Sequence, residues 1–196
     1  GDVVNTYEGS YNTANGFSSL QSNTTGYYNT ANGSHSLYSN TTGFYNTANG
    51  FQSLLHNTTG YDNTANGSLS LYYNTTGYNN TANGHNSGYD NTTGTLNSYY
   101  GYNTGIGITT GNANTIIGAN VTGLSSSLSN NIIIADGDGN RRINGFSTGN
   151  IAINSNTDVG YRFDVNGTCR VTGVLTLGTI TITTGTGTPE GVVTAT

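Results

Sequence analysis

Lysine, methionine and tryptophan are absent from this chain, and charge of either sign is scarce. Of 196 residues only 7% are charged; Arg141, Arg142, Arg162 and Arg170 are the whole basic complement, and the formal net charge is −5. Nucleic-acid binding displaces phosphate counterions with Lys and Arg, so no nucleic-acid partner is expected. The same shortage argues against an anionic membrane surface. No run approaches the ~20 apolar residues of a membrane-spanning helix, so no membrane insertion is expected either. Chemistry that needs a lysine is excluded. Cys169 stands alone, which rules out an intrachain disulfide and a paired-cysteine redox motif; it reads as an inert strand residue. Apolar residues make up 32%, below the ~45–50% of an ordinary globular domain. One copy is therefore not expected to bury a large conventional core.

What fills the chain is a repeat. Asn-Thr-Ala-Asn-Gly begins at Asn12, Asn29, Asn46, Asn63 and Asn80, and Asn-Thr-Thr-Gly at Asn23, Asn40, Asn57, Asn74 and Asn91. Both series keep a period of 17 residues without a slip. Polar low-complexity sequence is commonly disordered, but disorder gives no reason for strict register. A fixed short period marks a solenoid, one turn of backbone per repeat. The expected fold is all-β: a β-solenoid (β-roll or β-helix) of 17-residue repeats.

Aligning the repeats turns positions into columns. Leu20, Leu37, Leu54 and Leu71 form one, ended by Gly88; Ala14, Ala31, Ala48, Ala65 and Ala82 form another, and both should point inward. The glycine columns from Gly16 and from Gly26 should mark two corners, where glycine tolerates positive φ. Two corners leave two short strands per turn, one near Thr-Ala and one near Ser-Leu. The motif returns as Asn103-Thr104-Gly105-Ile106-Gly107 and as Asn114-Thr115-Ile116-Ile117-Gly118. Ile in the fourth place implies that the column from Asn15 to Asn83 is partly buried, an internal ladder of amides. Tyr27, Phe44, Tyr61 and Tyr78 share a column, with Tyr11, Tyr28 and Tyr45 beside it until Asp62 and Asn79 replace them. Stacking between rungs is their structural role; as an exposed strip, Tyr27, Phe44, Tyr61 and Tyr78 are the candidate receptor or glycan contacts.

The last third changes style. Residues 131–143 set two apolar segments around a Gly/Asp/Asn turn, a hairpin signal. Residues 161–184 alternate, with Asn166-Gly167 as a turn. The expected organisation is 17-residue solenoid repeats over 1–102, degenerate repeats over 103–130, a β-hairpin connector over 131–160 and a C-terminal β shaft segment over 161–196. Thr6-Tyr7-Glu8-Gly9 sits where Asn-Thr-Thr-Gly would fall, so the chain is read as starting inside a repeat, as a fragment or processed product.

The Asn-Thr-x-x-Gly motif followed by Ser-Leu resembles the head repeats of trimeric autotransporter adhesins. Runs of Asn-Thr-Ala-Asn-Gly and Asn-Thr-Thr-Gly resemble those of phage tail fibres and related bacterial fibre proteins. Gly160-Tyr161-Arg162-Phe163-Asp164-Val165-Asn166-Gly167-Thr168 and Gly187-Thr188-Pro189-Glu190-Gly191-Val192-Val193-Thr194 resemble a tail-fibre shaft. The likeness covers most of the chain, although autotransporter heads have a shorter period and that family's membrane anchor has no counterpart here. It implies a homotrimer, a virion tail-fibre or extracellular location, and other tail or particle proteins as partners. A homotrimer would turn the apolar columns into an interchain core. Many such fibres end in a self-cleaving chaperone domain with a Ser/Lys dyad; with no lysine in this sequence, that domain is expected to have been removed or never to have belonged to the chain.

No nucleophile paired with a base is evident, so no enzymatic activity and no cofactor are expected. His35, His56 and His85 fall in different columns and read as surface residues rather than a metal ladder. Asp136-Gly137-Asp138-Gly139-Asn140 starts like a calcium loop but has Arg141 and Ser147 where Gly and Glu belong, so it reads as a turn. The Asn-x-Ser/Thr sequons read as repeat grammar. The leading expectation is a structural and adhesive trimeric fibre or spike segment, contacting a host-surface glycan or receptor. The alternatives are an ice-binding β-solenoid, weakened because adjacent threonines face opposite ways on a strand, and a bacterial surface adhesin head. A polysaccharide depolymerase needs paired carboxylates, and Asp62 and Asp90 lie in different columns.

Overall fold

A computed structural model describes residues 11–154 and 163–165. Among them there is no helix, and 11 short strands form one sheet in chain order. The strands are β1 (Thr13–Asn15), β2 (Thr30–Asn32), β3 (Thr47–Asn49), β4 (Thr64–Asn66), β5 (Thr81–Asn83), β6 (Ser98–Tyr100), β7 (Thr115–Ile117), β8 (Ile132–Ala135), β9 (Arg141–Gly145), β10 (Ile151–Ile153) and β11 (Phe163–Val165). β1 to β8 pair parallel in strict register, Ala14 beside Ala31 beside Ala48, and so on to Ile116 beside Ile133. The result is a β-solenoid of about 7 turns. β9 pairs antiparallel with both β8 and β10, and β11 pairs parallel with β10. The 17-residue register runs through residues 103–130 without a break. The expected alternation over 161–184, the Asn166-Gly167 turn, Cys169 and the rest of the 161–196 shaft lie, β11 apart, outside the described residues.

Each turn carries one strand, not the two expected. In the Thr-Ala-Asn strands Ala points in, while Thr and Asn point out, as the two-residue period of a strand requires. The Ser-Leu segment is a turn because its leucines are left-handed: φ is 51°, 48°, 51° and 48° at Leu20, Leu37, Leu54 and Leu71. Each left-handed L-residue costs roughly 1–2 kcal/mol, so bonds between rungs must offset it. They are present: Leu37 N–H donates to Ser53 O at 3.0 Å, and Leu54 N–H to Ser70 O at 3.0 Å.

The Ala and Leu columns meet inside one chain. Ala31, Ala48, Ala65, Ala82, Leu37, Leu54 and Leu71 are all 0% exposed. A single copy therefore closes its own narrow core, and these columns are not surfaces waiting for a second chain. The apolar content is low because the rest of the interior is amide. The first Asn of each motif, in the columns from Asn29 to Asn114 and from Asn40 to Asn91, is buried. Asn63 has every hydrogen-bonding atom of its side chain engaged. Its Nδ2 donates to Asn46 Oδ1 (3.1 Å) and Gly77 O (2.9 Å), and its Oδ1 accepts from Asn80 N (3.0 Å) and Asn80 Nδ2 (3.1 Å). A stacked amide column satisfies all its groups this way, so burying it carries no orphan penalty.

Three further expectations change. The ladder of Asn32, Asn49, Asn66 and Asn83 exists, with Nδ2 to Oδ1 distances of 2.8, 2.8 and 2.9 Å, but on the outward side of the sheet and only half-buried. Its replacement Ile117 is 43% exposed, so acceptance of Ile there did not mean an interior. The two glycine corners also differ in cause. Gly50 has φ +145°, the left-handed region. Gly60 has no positive φ; a Cβ there would meet Asn57 Oδ1 and Gly77 O, so this column needs glycine for space beside the amide ladder. Finally, Asn103-Thr104-Gly105 is not a return of the strand motif. The sixth strand is Ser98–Tyr100, since Asn97 holds the interior ladder through Asn97 N to Asn80 Oδ1 at 3.0 Å.

At that sixth turn the core is rebuilt. Tyr99 occupies the Ala column and is 0% exposed, while the Leu column reads Gly88 and Gly105. A Cβ on Gly88 would lie 2.6 Å from Tyr99 Cδ2, and one on Gly105 would overlap the other ring edge at Cδ1. One ring has replaced the leucines of two rungs. Burial drives the Tyr99 hydroxyl pKa well above its ordinary value.

Candidate functional site

The outer surface carries four features built by the same stacking. The first is the pair of aromatic columns. Tyr27, Phe44, Tyr61 and Tyr78 stack face to face at 5.0, 4.9 and 4.7 Å, with planes within 6° of parallel. Tyr11, Tyr28 and Tyr45 stack beside them at 4.8 and 5.1 Å. The two columns meet edge to face, as in Phe44 with Tyr45 at 5.6 Å and 75°. The geometry fits rung-to-rung stabilisation, with each aromatic pair adding about 0.5–1.5 kcal/mol beyond its buried area. The second column is the more open, with Tyr28 45% and Tyr45 50% exposed; in the first, expected as an exposed strip, Tyr27 is 37% exposed and Phe44, Tyr61 and Tyr78 are half-buried between their neighbours. All four residues singled out in the sequence lie in one continuous ladder.

Sequence reasoning missed a second aromatic group, since its rings fall in two neighbouring columns rather than one. His56 stacks on Tyr73 at 5.4 Å and meets Tyr72 edge-on at 5.0 Å; Tyr72 stacks on Tyr89 at 5.0 Å. Desolvation, with a hydrogen bond to Tyr73, pushes the Tyr89 hydroxyl up to about 12. Asp90 beside it is engaged, its Oδ2 accepting from Gly107 N at 2.9 Å. The other histidines are also in ring contacts: His35 meets Phe17 at 5.3 Å and His85 stacks on Tyr102 at 5.5 Å. Among the described residues no three His, Cys, Asp or Glu side chains gather where a metal ion could be held.

The third feature is the outward face of β1–β5, with a Thr row (Thr13 to Thr81) and an Asn row (Asn15 to Asn83). The Thr24-Thr25 series is not in a strand. Its first members donate their hydroxyls one rung on, as Thr41 Oγ1 to Thr58 O at 3.0 Å and Thr58 Oγ1 to Thr75 O at 3.1 Å. Its second members, such as Thr42 and Thr59, are exposed.

The fourth is a change on that same sheet face. Past Asn83 the outer Asn row becomes Tyr100, Ile117, Ile134, Ile143 and Ile153, and past Thr115 the Thr row becomes Ile132, Gly145 and Ile151. Tyr100, Ile117, Ile132, Ile143 and Ile151 are each 37–54% exposed. A polar face turns apolar where the parallel turns give way to the antiparallel strands.

The Asp136–Asn140 segment links β8 to β9. Asp136 Oδ1 accepts from the backbone N of Asp138 and Asn140, both at 3.0 Å, and Arg142 pairs with Oδ2 at 2.6 Å. Desolvation works to raise its pKa, but the bonds from Asn140, Arg142 and the two backbone N–H groups outweigh it and hold it below the usual range. The carboxylate closes a turn, as the sequence predicts.

Comparison with protein-family models, with curated proteins and with solved structures found no match to this chain.

Proposed function

We propose that this chain is a structural and adhesive segment of a homotrimeric fibre or spike, carried on a phage tail or similar extracellular particle, which presents a host-attachment surface. The observation that carries the reading is the unbroken axial register. Seven parallel pairings close their own core, so each 17-residue rung adds ~4.8 Å to a rod. A rod whose turns touch only their neighbours is a spacer of set length. Host-surface glycans meet it along the aromatic columns, and other particle proteins at its ends. A bacterial surface adhesin head would use the same geometry.

The contact between copies is assigned to the apolar outer face of β6–β10. A contiguous apolar patch on a surface that is otherwise Asn, Thr and Tyr marks a protein contact, and a rod repeated about an axis meets itself there.

Native mass by light scattering, with an unheated SDS gel beside it, tests this. The expected mass is three chains. The double variant Ile117→Asn with Ile132→Thr restores the polar grammar of earlier rungs, and it should give a monomer with unchanged β circular dichroism. A monomeric parent chain overturns the fibre reading.

Ice binding has one observation in its favour, the regular Thr and Asn rows on the outward face of β1–β5. Against it, the Asn half of that face is taken up by amide-to-amide bonds, which leaves a single row of Thr hydroxyls rather than an array. Measurable thermal hysteresis would be needed to restore it.

A further inference from the structure

The second aromatic column stops part-way, and the break forms a slot. Tyr28 has a ring on each face, but Tyr45 is covered on one side only, by Tyr28 at 5.1 Å and 4°. The next two rungs carry Asp62 and Asn79, and the third carries Leu96, which is 56% exposed. The neighbouring column runs two rungs further, with Tyr61 and Tyr78 stacked at 4.7 Å, before Thr95 ends it beside Leu96. The gap therefore has Tyr45 as its floor, Leu96 as its far end and a wall of stacked rings along one side. Three rung spacings separate floor from end, about 14 Å.

The two short side chains leave the backbone as the missing rings would. Tyr45, Asp62, Asn79 and Leu96 share one left-handed conformation, with φ 55°, 52°, 56° and 59°. Their backbones are also pinned alike: each N–H donates to the carbonyl of Tyr27, Phe44, Tyr61 or Tyr78 in turn, at 3.1 Å. Asp62 and Asn79 are exposed, and the hydrogen bonds among the described residues leave the Asp62 carboxylate and the Asn79 side-chain amide unengaged. Asp90, by contrast, the other acidic residue of turns one to five, is occupied by Gly107 N.

We infer that this slot is a subsite for a neutral pyranose with adjacent hydroxyls, a proposal that rests on the glycan-contact reading above. The apolar C–H face of such a ring packs on the bare face of Tyr45. A carboxylate is an acceptor with two oxygens, so Asp62 accepts hydrogen bonds from two neighbouring hydroxyls; the Asn79 amide both donates and accepts. The slot also selects against acidic sugars. The turns around it hold no Lys or Arg, so a uronate or sulfated ring would face Asp62 with no cation to offset it. The chemistry that recognises the ligand is thus one aromatic platform, one acceptor pair and one amide, repeated once in each copy.

The test titrates the whole chain with methyl glucoside, methyl galactoside and methyl mannoside, with glucuronate as the acidic control, read by saturation-transfer NMR and tyrosine fluorescence. At least one neutral glycoside should saturate in the millimolar range, and glucuronate should not. Asp62→Ala should weaken binding by about tenfold or more, the loss of one charged hydrogen-bonding group. Asp62→Tyr with Asn79→Tyr extends the ring column through the slot; it should abolish binding while the urea midpoint stays level or rises. If a neutral glycoside binds the parent and the double-tyrosine chain equally, the subsite is wrong while the broader glycan contact stands. If glucuronate binds best, the ligand class is wrong. If no glycoside binds the parent, the subsite falls, and adhesion of the chain to immobilised glycans decides separately whether the broader reading survives.

Discussion

Replacing Asn63 by Ala separates an interior amide ladder from an exterior one. Asn63 is 0% exposed and makes four side-chain hydrogen bonds. Three of its partners keep another bond: Gly77 O still accepts from Asn74 Nδ2, Asn46 Oδ1 from the Asn63 backbone N, and Asn80 Nδ2 still donates to Gly94 O. The Asn80 backbone N–H loses its acceptor. A buried orphan of that kind costs about 1–3 kcal/mol, and the three weakened bonds about 0.5 kcal/mol each. The vacated volume adds about 0.5–1 kcal/mol. The expected destabilisation is roughly 3–5 kcal/mol. Asn66→Ala also breaks a ladder, at Asn49 Nδ2 and Asn83 Oδ1, but on the wet side of the sheet. Water takes over there, and the cost should stay below about 1 kcal/mol. Urea unfolding followed by far-UV circular dichroism measures both, with an unchanged slope as the sign that only stability moved. Amide exchange should open first around Asn80, because a solenoid weakens locally. If the two variants cost the same within about 0.5 kcal/mol, the argument that burial separates the ladders is refuted.

The sixth turn offers a compensation test. Tyr99→Ala alone should cost about 3–5 kcal/mol for the emptied core; adding Gly88→Leu and Gly105→Leu restores the grammar of earlier rungs and should recover about 2 kcal/mol or more, measured by the same urea curves. Leucine is suited to these positive-φ sites because Leu54 and Leu71 already adopt φ 51° and 48° in that column. The Asp136 turn should be acid-sensitive. Its folded pKa is depressed, so its contribution is complete above the unfolded aspartate value of about 3.9 and is lost as pH falls through the lower folded value. Exchange protection of the Asp138 and Asn140 amides, followed by NMR from neutral to strongly acid pH, should fall only in that acid window; loss near neutrality would contradict it.

The sequence by itself determined the period, the class and the columns. A 17-residue repeat in this order admits one stacking, because any slip breaks every column at once, and so the Ala, Leu and aromatic ladders were legible before any coordinates. So were the four rings of the candidate contact, since like residues at like positions must superpose. That the Ala and Leu columns face inward was legible from their apolar side chains; which Asn columns do so was not. Asn looks the same in sequence whether its amide meets a buried neighbour or water, so the motif does not distinguish the interior columns from Asn29 and Asn40 from the outer one from Asn15. The persistence of Asn97, Asn114 and Asn131 after the rest of the motif decays was the available signal. Tertiary structure alone decided the single strand per turn, because left-handed leucines are set by packing rather than by propensity. It alone decided the exchange of two leucines for Tyr99, which couples residues on different rungs. It alone left one face of Tyr45 bare beside the continuing stack of Tyr61 and Tyr78, because that depends on the neighbouring rings holding their places.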